Sequence, residues 1–366
     1  MNFVCNRIAL SDAITNVSKA VSAKSTIPAL EGIKVSVFHE RVELTAYNLE
    51  LGIKTSISAD TDGEGEFVVN ARLFSEFTRR MSGDAISCRA EENVLRLSCT
   101  STECSFPTVS AGEFPDLPVV DTEKSFSVKQ KTLKSMINMT SYAASVKDSK
   151  PILTGELFDI SGNTFNLVAI DGFRLAIRSE RTEYADSLKF VVPKKALQEI
   201  SSLIKDDADR DCIVCTNDKH IIFEINDVIV ISRLLEGQFH NYRLSIPTSH
   251  KTEVLINKKD FITSLDRCSL IVDEKNKAPV RFEADGGIVK ISCKTGIGKI
   301  NDIINADISG DAITIGFNNR LLLDALRAAE GDKVRLRFSG ANKVIEILPP
   351  EGESYIFLVM PIQLRN

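Results

Sequence analysis

One short phrase is written three times along this chain, each time at the passage from an apolar strand end into a helical pattern. The copies are Val68-Val69-Asn70-Ala71-Arg72-Leu73-Phe74, Val191-Val192-Pro193-Lys194-Lys195-Ala196-Leu197 and Gly316-Phe317-Asn318-Asn319-Arg320-Leu321-Leu322. Their spacing is about 123 and then 125 residues. A second phrase recurs in step: Cys5-Asn6-Arg7-Ile8-Ala9-Leu10, Val128-Lys129-Gln130-Lys131-Thr132-Leu133 and Ile256-Asn257-Lys258-Lys259-Asp260-Phe261. Two phrases repeated in one order at one period imply a single domain copied three times. A chain of 366 residues then divides into repeats of about 120, each large enough for its own core. The expected domains are 1–122, 123–248 and 249–366.

Each third follows the same plan. An early helix shows apolar residues at three- and four-residue spacing, as at Leu10, Ala13, Ile14 and Val17, or Phe261, Leu265 and Cys268. Alternating runs such as Arg41–Thr45 and Val280–Ala284 read as half-buried antiparallel strands. A second helix starts at the first phrase, and further strands, such as 93–98 and 334–338, close the unit. Junctions are expected at 114–124, which is proline-bearing and acidic, and at 246–251. The predicted class is α+β: two helices against an antiparallel sheet, three times over.

With 43% hydrophobic and 26% charged residues, the chain has the composition of a soluble globular protein. No apolar run reaches the roughly eighteen residues of a membrane span, and the first residues lack a signal-peptide pattern, so a cytoplasmic location is expected. The eight cysteines are scattered, which fits small buried side chains in a reducing compartment. Cys212 and Cys215 have CxxC spacing without a second pair or a histidine cluster, so no metal site is expected.

The net charge of −5 hides an uneven distribution. Six helical windows (6–24, 70–83, 129–150, 193–205, 257–271 and 318–331) together carry +11, leaving −16 elsewhere. Solvated lysines alone would give some excess, but five of the six windows share it, which favours a common basic face for a phosphate backbone. No base-reading motif is present, so any DNA contact is expected to be indifferent to sequence. Catalytic signatures are missing as well: no HExxH, P-loop, GxGxxG after a strand or GxSxG elbow, and Thr295–Gly298 reads as a turn. Asp159 and Asp171 are poor candidates for metal ligands. No cofactor, catalytic residue or 3′–5′ exonuclease activity is expected.

A set of short segments carries a family resemblance: 25–30 (Ser-Thr-Ile-Pro-Ala-Leu), 48–50 (Asn-Leu-Glu), 114–117 (Phe-Pro-Asp-Leu), 153–158 (Leu-Thr-Gly-Glu-Leu-Phe), 169–175 (Ala-Ile-Asp-Gly-Phe-Arg-Leu), 237–243 (Gly-Gln-Phe-His-Asn-Tyr-Arg) and 359–362 (Val-Met-Pro-Ile). In this order, on three repeats, the chain resembles the β subunit of bacterial DNA polymerase III, the replicative sliding clamps. The resemblance implies a head-to-tail homodimeric ring of six domains, the DNA clamp fold, with helices lining a hole for double-stranded DNA. It implies a non-catalytic processivity factor that docks the polymerase α subunit, the clamp loader and other clamp-binding-motif proteins. Lys24 and Lys147 match DNA-contacting positions of the family, and Arg72, Arg79, Lys131, Lys194, Lys195 and Lys258 are further candidates from their place on the helices.

The implied partner-peptide pocket comprises Leu153, Ile170, Gly172, Arg174, Leu175, His240, Ser245, Val359, Met360, Pro361 and Ile362. Apolar walls and a flexible Met suit short Leu/Phe-bearing peptides. His240 stands where the family often has Pro, Ile170 where many members have Thr, and residues 363–366 run past the usual ending. Phe106, Leu270 and Ile271 align with hydrophobic ring-contact positions. The alternatives are a peptide-binding hub that does not stably encircle DNA, and an enzyme acting on DNA through an acidic metal cluster.

Overall fold

The computed structural model describes residues 1–120, 124–146, 149–205, 209–272 and 278–364. The first repeat contains β1 (Asn2–Asn6), α1 (Arg7–Ser18), β2 (Gly32–Phe38), β3 (Arg41–Tyr47), β4 (Leu51–Ser58), β5 (Asp60–Asp62), β6 (Gly65–Asn70), α2 (Ala71–Arg80), β7 (Ala85–Glu91), β8 (Val94–Cys99) and β9 (Thr102–Val109). The second contains β10 (Ser125–Lys129), α3 (Gln130–Thr140), β11 (Gly155–Ser161), β12 (Thr164–Ile170), β13 (Arg174–Arg181), β14 (Leu188–Pro193), α4 (Lys194–Leu203), β15 (Asp211–Thr216), β16 (His220–Ile225) and β17 (Val228–Arg233). The third contains β18 (Thr252–Asn257), α5 (Lys258–Ser269), β19 (Val280–Asp285), β20 (Ile288–Thr295), β21 (Gly298–Gly310), β22 (Ile313–Phe317), α6 (Asn319–Ala328), β23 (Lys333–Phe338), β24 (Ile345–Leu348), β25 (Tyr355–Val359) and β26 (Pro361–Ile362).

Both recurring phrases fall where a strand hands over to a helix, and the Asn in them has a physical reason. The Asn6, Asn70 and Asn257 side chains accept from the backbone N–H three residues on, at 3.0, 3.1 and 3.0 Å. Asn318 accepts from Arg320 and Leu321 at 3.0 and 3.3 Å. Each therefore satisfies helix N–H groups that have no intrahelical acceptor.

The chain forms two compact units, 1–133 with 198–234, and 134–197 with 235–366. Among the described residues each contains one thirteen-stranded sheet. In the first the order is β10-β15-β16-β17-β4-β3-β2-β6-β9-β8-β7-β1-β5, so strands of the second repeat extend the sheet of the first through β17 and β4. In the second it is β14-β11-β12-β13-β25-β24-β23-β18-β21-β20-β19-β22-β26, and β13 joins β25 in the same way. Sheet and helices enclose the core. In the second unit Phe261, Leu265 and Cys268 of α5 and Leu322, Ala325 and Leu326 of α6 pack on Phe282, Val289, Leu336 and Phe357. Thr295 pairs with Gly298 across the expected turn.

All eight cysteines are free; seven are buried and Cys104 is half-buried. Burial pushes the Cys212 thiol up to about 12, which makes it a poor thiolate ligand. Among the described residues no helix is long and apolar enough to cross a membrane, and no cluster of three or more metal-type side chains occurs.

Candidate functional site

The turn between β12 and β13 builds one wall of a small cavity in the second unit. Asp171 Oδ1 accepts from the backbone N–H groups of Phe173 and Arg174 at 2.9 and 3.1 Å, closing the turn on its own side chain. Gly172 sits at φ +93°, a left-handed conformation that a side chain disfavours even though a Cβ would meet nothing there. Phe173 O accepts from Met360 N at 2.9 Å and ties the turn to the chain end after β25.

The opposite wall is a short 3-10 segment, Tyr242–Ser245. It is pinned to β11 by Asp159, a fully buried carboxylate whose Oδ2 accepts from Tyr242 Oη at 2.8 Å and Arg243 Nη1 at 2.7 Å. Beside that carboxylate, and through burial first, the Tyr242 phenol lies well above its usual range.

Between these walls lies a cavity of about 90 Å³ lined by Ile170, Gly172, Phe173, Arg174, Leu175, Ser245, Val344, Leu358 and Met360. Of the expected pocket residues it brings together Ile170, Gly172, Arg174, Leu175, Ser245 and Met360. His240 reaches its edge, with Nε2 3.3 Å from Ser245 Oγ. Leu153 is half-buried in the 3-10 segment Pro151–Thr154, outside the lining. Pro361 and Ile362 form β26 against β22, and Ile362 borders a second cavity of about 850 Å³.

Val359 lies on the other face of β25. Strand alternation sends Ile356 and Leu358 toward the cavity side and Tyr355, Phe357 and Val359 into the α5–α6 core. Leu358, opposite Leu175 in the β13–β25 register, lines the cavity with it. Phe173, Val344 and Leu358 were not anticipated from sequence; Phe173 stands within the resembling segment, 63% exposed beside the turn glycine.

Arg174 borders both cavities. Its Nε donates to Asp171 Oδ2 at 2.9 Å and its Nη1 to Asp324 Oδ2 at 2.6 Å, with the guanidinium 5.2 Å over the Tyr142 ring.

The candidate DNA contacts differ in availability. Lys24, Arg72, Lys131 and Lys195 are exposed. Arg79 is exposed and bound to Glu76 at 2.8 Å. Lys194 is half-buried, and desolvation holds its ammonium below the ordinary lysine range. Lys258 is turned inward, its Nζ donating to Ala329 O at 2.6 Å. Lys147 lies outside the described residues.

Among the expected ring-contact residues, Phe106 is buried behind the exposed Phe77, ring centroids 5.0 Å apart. Leu270 is 78% exposed, and Ile271 packs partly on the core.

Family models match all three repeats: the DNA polymerase III beta subunit N-terminal domain over residues 1–118, its central domain over 127–241 and its C-terminal domain over 243–363. The beta sliding clamp of Bacillus subtilis is 29% identical over 99% of this chain and 100% of its own. The crystal structure of the B. subtilis DNA polymerase sliding clamp superposes with a TM-score of 0.96 at 28% identity, covering 100% of both chains. A structure from Eubacterium rectale, provisionally described as a DNA polymerase III beta subunit, matches at 31% identity with a TM-score of 0.95, again over 100% of both chains.

Proposed function

The chain belongs to the DNA polymerase III beta subunit family, the beta sliding clamps that serve as non-catalytic processivity factors, and from that premise we propose that two copies close head to tail into a ring around duplex DNA. The observation that carries this reading is the repeated junction. The first repeat meets the second by β4 against β17, with Leu51 opposite Ser232. The second meets the third by β13 against β25, with Arg174 opposite Val359. The equivalent strands left over are β21 of the third repeat and β9 of the first. A third junction of the same kind would pair β21 with β9. A second copy supplies it, and two such contacts close the ring.

Exposed Lys24, Arg72, Arg79, Lys131 and Lys195 are the phosphate contacts in this reading, and Lys147 is a further candidate from the resemblance alone. Contacts of this kind are weak and independent of sequence, and retention comes from topology. The small cavity takes a Leu/Phe-bearing peptide from the polymerase α subunit, the clamp loader and other clamp-binding proteins in the bacterial cytoplasm. Leu175 and Leu358 line it and Met360 adapts to the ligand.

The test is retention on DNA. Loaded protein should stay on closed circular DNA at moderate salt and leave once the circle is linearised, and its solution mass should be that of a dimer. Equal loss from circular and linear DNA would overturn the reading, and a monomer that still binds peptide would mark a hub instead.

A further inference from the structure

Six residues after the Asn or Pro that opens the second helix of each repeat stands an acid: Glu76, Glu199 and Asp324. Its partner changes from copy to copy. Glu76 binds Arg79 and Arg80 of its own helix at 2.8 and 2.7 Å. Glu199 binds Lys19, just past α1 of the preceding repeat, at 3.2 Å. Asp324 binds Arg174 of the preceding repeat at 2.6 Å, and among the described residues it alone of the three acids grips a residue that lines the small cavity.

The Arg174–Asp324 pair is shielded, with side-chain exposures of 13% and 29%, so solvent screens it less than a surface pair. Asp171 takes Nε, Asp324 takes Nη1 and the Tyr142 ring lies beneath the guanidinium. Tyr142 Oη is buried without a hydrogen-bond partner among the described residues, so the residue serves here as a packing surface. Two carboxylates from two repeats and one aromatic face thus hold a single guanidinium. Its Nη2 makes no hydrogen bond among the described residues.

We propose that Asp324 is a positioning residue for partner binding: through Arg174 it fixes the guanidinium at the wall between the two cavities, where Nη2 meets a carbonyl oxygen of an extended peptide. The inference rests on the reading of the small cavity as the peptide site. With one carboxylate lost, the long arginine side chain regains rotamers, and peptide binding must bear the cost of ordering it again. Asp324 itself need not touch the peptide.

The experiment is a double-mutant cycle on the full-length protein, titrated with a fluorescent ten-residue peptide carrying a Leu-Phe pair. Asp324→Asn keeps the shape and removes the charge; it should weaken binding about tenfold, the size of one charge-assisted hydrogen bond. Asp324→Glu should recover part of that loss. In an Arg174→Ala background, Asp324→Asn should change affinity less than about twofold, because its route to the site is gone.

A tenfold loss repeated in the Arg174→Ala background would overturn the proposal, since the effect would then run through α6 or the fold. So would unchanged binding by Asp324→Asn where Arg174→Ala alone weakens it. Unchanged binding by Arg174→Ala itself would sink the pocket reading and the proposal together, and that single variant tells the two failures apart.

Discussion

Glu156 enters the second unit fully buried within β11, at a position that the sheet registers equate with Ile33 in the first repeat and Val280 in the third. Burial pushes its carboxyl up to about 7, against hydrogen bonds from Ser141 and Thr140 and the charge of Lys194, all of which pull it down. An unfolded glutamate titrates near 4.5. Between these values the folded chain keeps a proton that the unfolded chain has lost. Stability is therefore fully present below pH 4.5, declines up to about 7 and stays lower above it, by roughly 3 kcal/mol for a shift of this size. Glu156→Gln should flatten that decline and raise stability at pH 8 by more than about 1 kcal/mol, read from urea unfolding at several pH values. A pH profile parallel to that of the parent would exclude the assignment. None of this was legible in the sequence, where Leu-Thr-Gly-Glu-Leu-Phe shows only one charged residue in a largely apolar run. Burial is decided by what packs over the strand.

At the scale of elements, the strand-to-helix phrases were readable because cap chemistry is local: an Asn and the next three residues suffice. The face of β25 was not readable. Tyr355-Ile356-Phe357-Leu358-Val359 is apolar throughout, so no alternation marks which side meets the cavity; the resemblance named Val359, while Leu358 is the residue of this strand that lines the cavity. Lys258 shows the same limit for charge. As a basic residue opening a helix it looked like a phosphate contact, yet its ammonium caps the carbonyl of Ala329, just past the end of α6. It ties the first turn of α5 to the last of α6. Lys258→Met should lower stability by about 1 kcal/mol while retention on circular DNA is unchanged. A variant of full stability that slips from circles faster would restore the phosphate role.

For the whole molecule, the repeat says more than the number of domains, because the internal junctions give the register expected of the proposed one between copies. Hairpin registers pairing Cys99 with Thr102 and Ile225 with Val228 make Phe106 the counterpart of Ser232. Ile288 opposite Asn305, matched to Thr164 opposite Arg181, makes Gly298 the counterpart of Arg174. In the proposed ring, antiparallel pairing would then set Gly298 of one copy against Phe106 of the next, Lys299 against Ser105 and Ile300 against Cys104. The faces agree: Phe106, Cys104 and Ile300 are buried or half-buried, while Ser105 and Lys299 are exposed. A Cβ placed on Gly298 would lie 3.5 Å from Ile271, so the same register gathers the apolar residues expected at the ring contact. Directly opposed residues sit within disulfide reach, whereas a diagonal neighbour is at about 7–8 Å, beyond it. Ser105→Cys with Lys299→Cys should therefore oxidise to a covalent two-subunit ring, seen as a cross-linked species on denaturing gels. Glu103→Cys with Lys299→Cys should cross-link far more slowly, and each single variant should not cross-link. Equal yields from both pairs, or none from the first, would break the register and with it the derivation of the ring from the repeat.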